Sequence, residues 1–206
     1  MEGAEMQRIR GIAFDWGGVI IEEPSAGLQR YCCRRLGISV EAGSRAIREI
    51  LPQYQNGRIP ERALWQMVCD ACGQSHSVIP QASLWSEALR EVFQFRPEVM
   101  DAISTLRSNG YRTGFLSNTE PEAAAFFYER RMDALFDAQV LSCEVGVSKP
   151  GRQIYLLLAN RLQLLPGHIL FLDDRKENVD GAVEAGMAAV LVDTTEAVLE
   201  ALAPFL

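Results

Sequence analysis

Histidine is scarce: His76 and His168 are the two in 206 residues. Neither ends an apolar run of strand type, so base catalysis by a positioned imidazole has no candidate. Positive charge is also short, with 20 Lys and Arg against 27 Asp and Glu and a net charge of −7. That balance argues against a nucleic-acid surface or a polybasic membrane patch, and leaves anion binding to a locally arranged pocket. No apolar run approaches the roughly 20 residues of a membrane span. The opening MEGAEMQRIR lacks the apolar core of a signal peptide, so a cytoplasmic protein is expected. The five cysteines (Cys32, Cys33, Cys69, Cys72 and Cys143) are odd in number and irregularly spaced, which fits reduced thiols rather than a disulfide framework. Cys69 and Cys72, with His76 nearby, fall one ligand short of a structural zinc site. In a helix, positions i and i+3 share a face, so these two thiols are expected to pack as small apolar groups.

The chain has the composition of an ordinary globular protein, 48% hydrophobic and 23% charged. Residues 9–21, IRGIAFDWGGVII, form an apolar run closed by glycine, as a buried parallel strand entering a loop should. Residues 22–95 then show apolar residues at helical spacing in four segments separated by proline or glycine, with no strand candidate. From residue 97 helices and strands alternate, with strands expected in YRTGFLSN, FDAQVLSCEVG, HILFLDD and AAVLV. That order predicts an α/β fold: a Rossmann-like, doubly wound parallel sheet with a small all-helical cap inserted after strand one. The expected core comprises residues 1–21 and 96–206, and the cap residues 22–95.

Ligands of such sheets bind at the carboxyl ends of the strands. Polar residues end the apolar runs at Asp15, at Ser117 and Asn118, and at Asp173 and Asp174, while Lys149 follows the third strand. Three crowded carboxylates repel unless a cation sits among them. Hard oxygen donors suit Mg²⁺ rather than a thiolate- or imidazole-bound metal. With Mg²⁺ held by these acids, Asp15 can attack phosphorus as a nucleophile. Lys149 then neutralises phosphoryl oxygens, and Ser117, Asn118 and the backbone N–H groups of Trp16, Gly17 and Gly18 hydrogen-bond them. Trp16 itself is expected to pack, and Asn178 to orient the loop after strand four.

Together FDWGGVI, FLSN, VSKP and FLDDRKEN resemble, in order, the four motifs of the haloacid dehalogenase-like hydrolase superfamily. The resemblance covers about residues 10–195, with the helical insertion where that family carries its cap. It implies a Mg²⁺-dependent phosphomonoesterase with Asp15 as nucleophile, acting on a small phosphorylated metabolite through an aspartyl-phosphate. The motif forms are similar to those of bacterial phosphatases acting on alpha-glucose-1-phosphate, so a sugar phosphate is the expected substrate class. No nucleic-acid or membrane partner is expected, and the chain is expected to be a monomer or weak homodimer. One position departs from the family: Gly17 stands where most of its phosphatases carry an aspartate as general acid/base. Its carbonyl retains the capacity to bind the metal beside Asp15, Asp173 and Asp174. General acid help is worth roughly 10²–10⁴-fold, so its loss favours easy leaving groups such as an anomeric oxygen. Glu22, Glu23 and Glu120 are the available substitutes, although as helix-start acids they are expected to be solvated. Two other readings are a 2-haloacid dehalogenase, which gains nothing from Asp173 and Asp174, and a noncatalytic phospho-ligand binding module, favoured only by Gly17.

Overall fold

The computed structural model describes residues 9–206. Of the expected first core segment, residues 1–8 lie outside the described residues. Five strands form one parallel sheet in the order β3-β2-β1-β4-β5: β1 Gly11–Phe14, β2 Arg112–Ser117, β3 Ala138–Leu141, β4 Ile169–Asp173 and β5 Ala188–Leu191. Four helices, α1 Ser25–Leu36, α2 Val40–Gln55, α3 Glu61–Ala71 and α4 Leu84–Val92, lie between β1 and β2 in sequence, followed by α5 Pro97–Ser108. The remaining helices are α6 Pro121–Glu129, the short α7 Ser142–Val145, α8 Arg152–Leu162, α9 Lys176–Glu184 and α10 Thr195–Leu202.

The strands read as continuous apolar runs because both sheet faces are covered. Alternate residues serve opposite sides. Ile12, Phe14, Phe115, Leu170 and Leu172 enter one buried cluster with α5, α6 and α10, and that cluster runs on into the helices between β1 and β2. Ala13, Leu116, Ile169 and Phe171 enter the other, with residues of α8 and α9. Trp16 joins the first cluster, 3% exposed and edge-on to Phe93, Phe115 and Phe127 at 5.1, 5.4 and 5.6 Å between ring centroids. It packs, as its sequence context suggests.

Two elements differ from expectation. Helix α10 follows the last expected strand. It is capped by the Thr194 hydroxyl, which accepts from Ala197 N at 3.1 Å, and buries Val198 and Leu202. Only two buried residues four apart mark it, too brief a periodic signal to stand out. Helix α9 starts at Lys176, ahead of its first apolar residue, because its polar first turn serves the strand ends instead of the core.

The chain leaves and re-enters the sheet layer side by side. Ile21 and Phe95 form an antiparallel bridge, Glu22 N donates to Gln94 O at 2.9 Å and Arg96 N to Ile20 O at 2.9 Å. Arg96, 5% exposed, fastens this crossing. Its guanidinium donates to Gly18 O at 2.5 Å, to both Glu22 carboxylate oxygens at 3.1 and 3.2 Å, and to Asp193 O at 3.2 Å. Glu22 is 56% exposed, so the ion pair itself is screened and the buried carbonyl acceptors dominate. Arg96→Met is expected to cost about 2–3 kcal/mol in urea unfolding, and Arg96→Lys about half of that, because lysine keeps the charge and loses the fork. A loss below about 1 kcal/mol for the Met variant would contradict this role.

Candidate active site

The register of the sheet creates the site. Phe14 stands level with Phe115 on β2 and with Leu172 on β4. The next residue along, Asp15, is therefore level with Asp173, one strand spacing of about 4.8 Å away. Two buried carboxylates this close require a cation, and Lys149 supplies it. Its Nζ lies 2.7 Å from Asp15 Oδ1, 2.7 Å from Asp173 Oδ2 and 3.1 Å from Leu116 O. Asp15, Lys149 and Asp173 are 7%, 4% and 0% exposed.

Each member is held by its surroundings. Asp15 N donates to Leu172 O at 2.9 Å, which extends the β1–β4 ladder to the carboxylate. Asp173 Oδ1 accepts from Arg175 N and from Asn178 Nδ2, both at 2.9 Å, and Oδ2 also accepts from Asn178 Nδ2 at 3.1 Å. Asn178 thus orients Asp173, and so indirectly the lysine. Asn118, expected as a phosphate ligand, uses its side chain otherwise: Nδ2 donates to Lys149 O at 2.9 Å and Oδ1 accepts from Lys149 N at 2.8 Å. Gly18 has φ +73°, and a Cβ there would lie 2.4 Å from Asp174 Oδ2, so glycine lets the loop after β1 rest against that carboxylate.

Asp15, Asp173 and Asp174 each offer a carboxylate oxygen within 4.8 Å of the others. Three carboxylates against one lysine leave a net charge of −2, and the donors are all hard oxygens, which fits a divalent cation such as Mg²⁺. The electrostatics carry the same imprint. Burial lifts the Asp15 carboxyl to a pKa of about 7, with Lys149 pulling it down and Asp173 pushing it up. Burial, then Asp173 and Glu23, lift Asp174 to about 6. On Lys149 burial opposes the charge, but Asp15 and Asp173 outweigh it and hold its pKa above the usual value.

A cavity of about 130 Å³ opens onto this cluster. Asp15, Gly17, Ser117 and Lys149 line it from the sheet, and Gln55 and Trp85 from the helices between β1 and β2. All predicted site residues thus gather at one end of the sheet. His76 bonds Asp70 at 2.7 Å and His168 sits before β4, so neither shares the site. Among the substitute acids, Glu22 and Glu23 are exposed as expected. Glu120 is not: at 7% exposure it is buried where α2 and α4 roof the start of α6. Gln55, which bonds Glu120 Oε1 at 2.8 Å, was not legible as a site residue, because nothing in its helix sets it apart.

The haloacid dehalogenase-like hydrolase family model matches residues 9–186. The chain belongs to this family. This haloacid dehalogenase-like hydrolase is 26% identical over 211 residues to bifunctional epoxide hydrolase 2 of Rattus norvegicus, covering 93% of its own length and 38% of that protein's. It is 24% identical over 190 residues to D-ribitol-5-phosphate phosphatase of Bacteroides thetaiotaomicron, covering 86% of this chain and 89% of that one. Its fold is shared by a HAD family enzyme from the same bacterium, solved in complex with magnesium and inorganic phosphate, at a TM-score of 0.65, 20% identity and 89% and 93% coverage. No helix among the described residues is long and apolar enough to cross a membrane. All five cysteines are free.

The raised pKa values of Asp15 and Asp174 mean that the folded chain holds protons the unfolded chain releases. The stability from this source is complete below the ordinary value of 3.8 and is lost as pH rises through about 6 and about 7. In chelator, the melting temperature is therefore expected to fall between about pH 4 and about pH 7, and to fall less in Asp174→Asn. Magnesium at about pH 8 should raise the melting temperature of the wild type more than that of the variant. Equal magnesium shifts in the two proteins would contradict the site.

Proposed function

We propose that the chain is a Mg²⁺-dependent phosphomonoesterase acting on a small phosphorylated metabolite, with a sugar phosphate as the substrate class, through an aspartyl-phosphate. The observation that carries this reading is the buried Asp15 carboxylate, 2.7 Å from Lys149 Nζ, facing a cavity beside two further acids. The phosphatase named among its relatives, and the magnesium and phosphate bound by a protein of the same fold, support it. We place the helical segment 22–95 as the cap over the site, and the protein in the cytoplasm, where its thiols stay reduced.

Asp15 attacks phosphorus, an Asp15–O–P bond forms and the P–O bond to the leaving alcohol breaks. Water then attacks phosphorus, and the Asp15–O–P bond breaks to release inorganic phosphate. Lys149 offsets the charge of Asp15 and of the phosphoryl oxygens. The Ser117 hydroxyl and the N–H groups of Trp16, Gly17, Gly18 and Asn118 donate to those oxygens. Asp15, Asp174 and the Gly17 carbonyl would hold Mg²⁺, which would supply further neutralisation of phosphoryl charge. Asp173, whose two oxygens already accept four hydrogen bonds, sets the lysine. The alcohol needs a proton that residue 17 cannot give. A Cβ on Gly17 would lie 3.9 Å from Glu23 Oε2, the one carboxylate oxygen within 4 Å outside the neighbouring residues. We assign this proton to Glu23, whose carboxylate then takes up the proton that the attacking water gives.

Phosphate release from sugar phosphates and aryl phosphates, with magnesium and with chelator, tests the reading. Asp15→Asn is expected to lose at least about 10³-fold in kcat, and chelator to abolish turnover. Glu23→Gln should lose about ten-fold or more on phenyl phosphate and far less on p-nitrophenyl phosphate, whose leaving group needs no proton. A metal-independent turnover, or one indifferent to Asp15, would overturn the mechanism.

A further inference from the structure

The cavity over Asp15 contains a second polar cluster that the phosphoryl chemistry does not use. Glu120, the residue before α6, lines it with its carboxyl buried. One carboxylate oxygen accepts from Gln55 Nε2 at 2.8 Å. Gln55 is fixed in turn: its carbonyl accepts from the Ser142 hydroxyl at 2.6 Å, and Nε2 reaches Asn118 O at 3.4 Å. Trp85, 2% exposed, lines the same cavity, and its peptide N–H is anchored on Glu61 Oε1 at 2.7 Å. Burial raises the pKa of the Glu120 carboxyl, against the opposing influence of Gln55 and of the Trp85 indole N–H. Yet this N–H finds no hydrogen-bond partner among the described residues. A buried donor left unpaired beside a buried acceptor is an arrangement that a bound group can complete.

The chemistry of that group follows from what the two residues offer. A hydroxyl donates to the Glu120 carboxylate and accepts from the Trp85 N–H. An alkyl group strands both, and an ammonium has no lone pair for Trp85. Leu28, Leu51, Leu89 and Phe93 supply the apolar walls that the C–H faces of a polyol or sugar require.

We propose that Glu120, Gln55 and Trp85 form a leaving-group subsite that selects phosphate esters of small polyhydroxylated alcohols over those of plain alkanols. The subsite rests on the phosphatase reading above. Glu120 and Trp85 determine specificity, and the transfer of the phosphoryl group remains with Asp15.

The test compares kcat/KM for matched pairs: glycerol 3-phosphate against n-propyl phosphate, and ribitol 5-phosphate against n-pentyl phosphate. p-Nitrophenyl phosphate serves as a general probe of phosphatase activity. The wild type should favour the hydroxylated member of at least one pair by about ten-fold or more, because a site built to bond a hydroxyl rejects the analogue that lacks it. Glu120→Gln and Trp85→Phe should each lower that ratio by about three-fold or more, and either variant decides the question if the other does not fold. A wild-type ratio below about ten-fold in both pairs, or a ratio unmoved in a folded variant, would overturn the subsite while leaving the phosphatase reading intact. Failure to hydrolyse any of the five esters would overturn that reading and the subsite with it.

Discussion

A lysine ammonium buried between two carboxylates is the constraint on which the rest of this structure depends. The register of β1 against β4 sets Asp15 and Asp173 side by side with almost no access to water. Ions taken out of water cost several kcal/mol each unless geometry and hydrogen bonds repay them. Much of the surrounding structure supplies that repayment. Leu116 O receives the third lysine bond, Asn118 holds both polar groups of the Lys149 peptide, and Asn178 and Arg175 N saturate Asp173. Those partners come from the end of β2 and the start of α9, and the charges from the ends of β1 and β4 and the loop after β3, so the sheet must be assembled before the charges are paired.

The same arrangement leaves a charge imbalance. One lysine cannot neutralise Asp15, Asp173 and Asp174, and neighbouring acids add to the upward shifts that burial imposes on Asp15 and Asp174. In the proposed reaction, nucleophile and excess negative charge are two sides of one site: the carboxylate that is to attack must stay ionised beside other acids. A divalent cation and a phosphoryl group, one positive and one negative, suit the cluster together better than either does alone.

Much of this was legible in the sequence. All five strands were readable as short apolar runs, and the polar residues closing them were readable as a site, because a buried parallel strand leaves little other reason for an acid at its tip. The residues that were not legible work through the tertiary fold. Arg96 follows FQF and precedes a proline like any surface arginine, yet it closes the crossing around Gly18 and Glu22. Glu120 looks like a solvated helix-start acid, and only the approach of α2 and α4 removes it from water. Asn118 was readable as a site residue, but its work on the lysine backbone depends on the loop after β3 folding against it.

The covalent step is the centre of the account, and rapid acid quench of the enzyme during turnover of p-nitrophenyl phosphate with magnesium tests it most directly. Mass spectrometry of the digested protein should find one phosphoryl group on the peptide containing Asp15, and none in chelator. A phosphoryl group on another residue, or steady turnover with no labelled enzyme at any quench time, would contradict it.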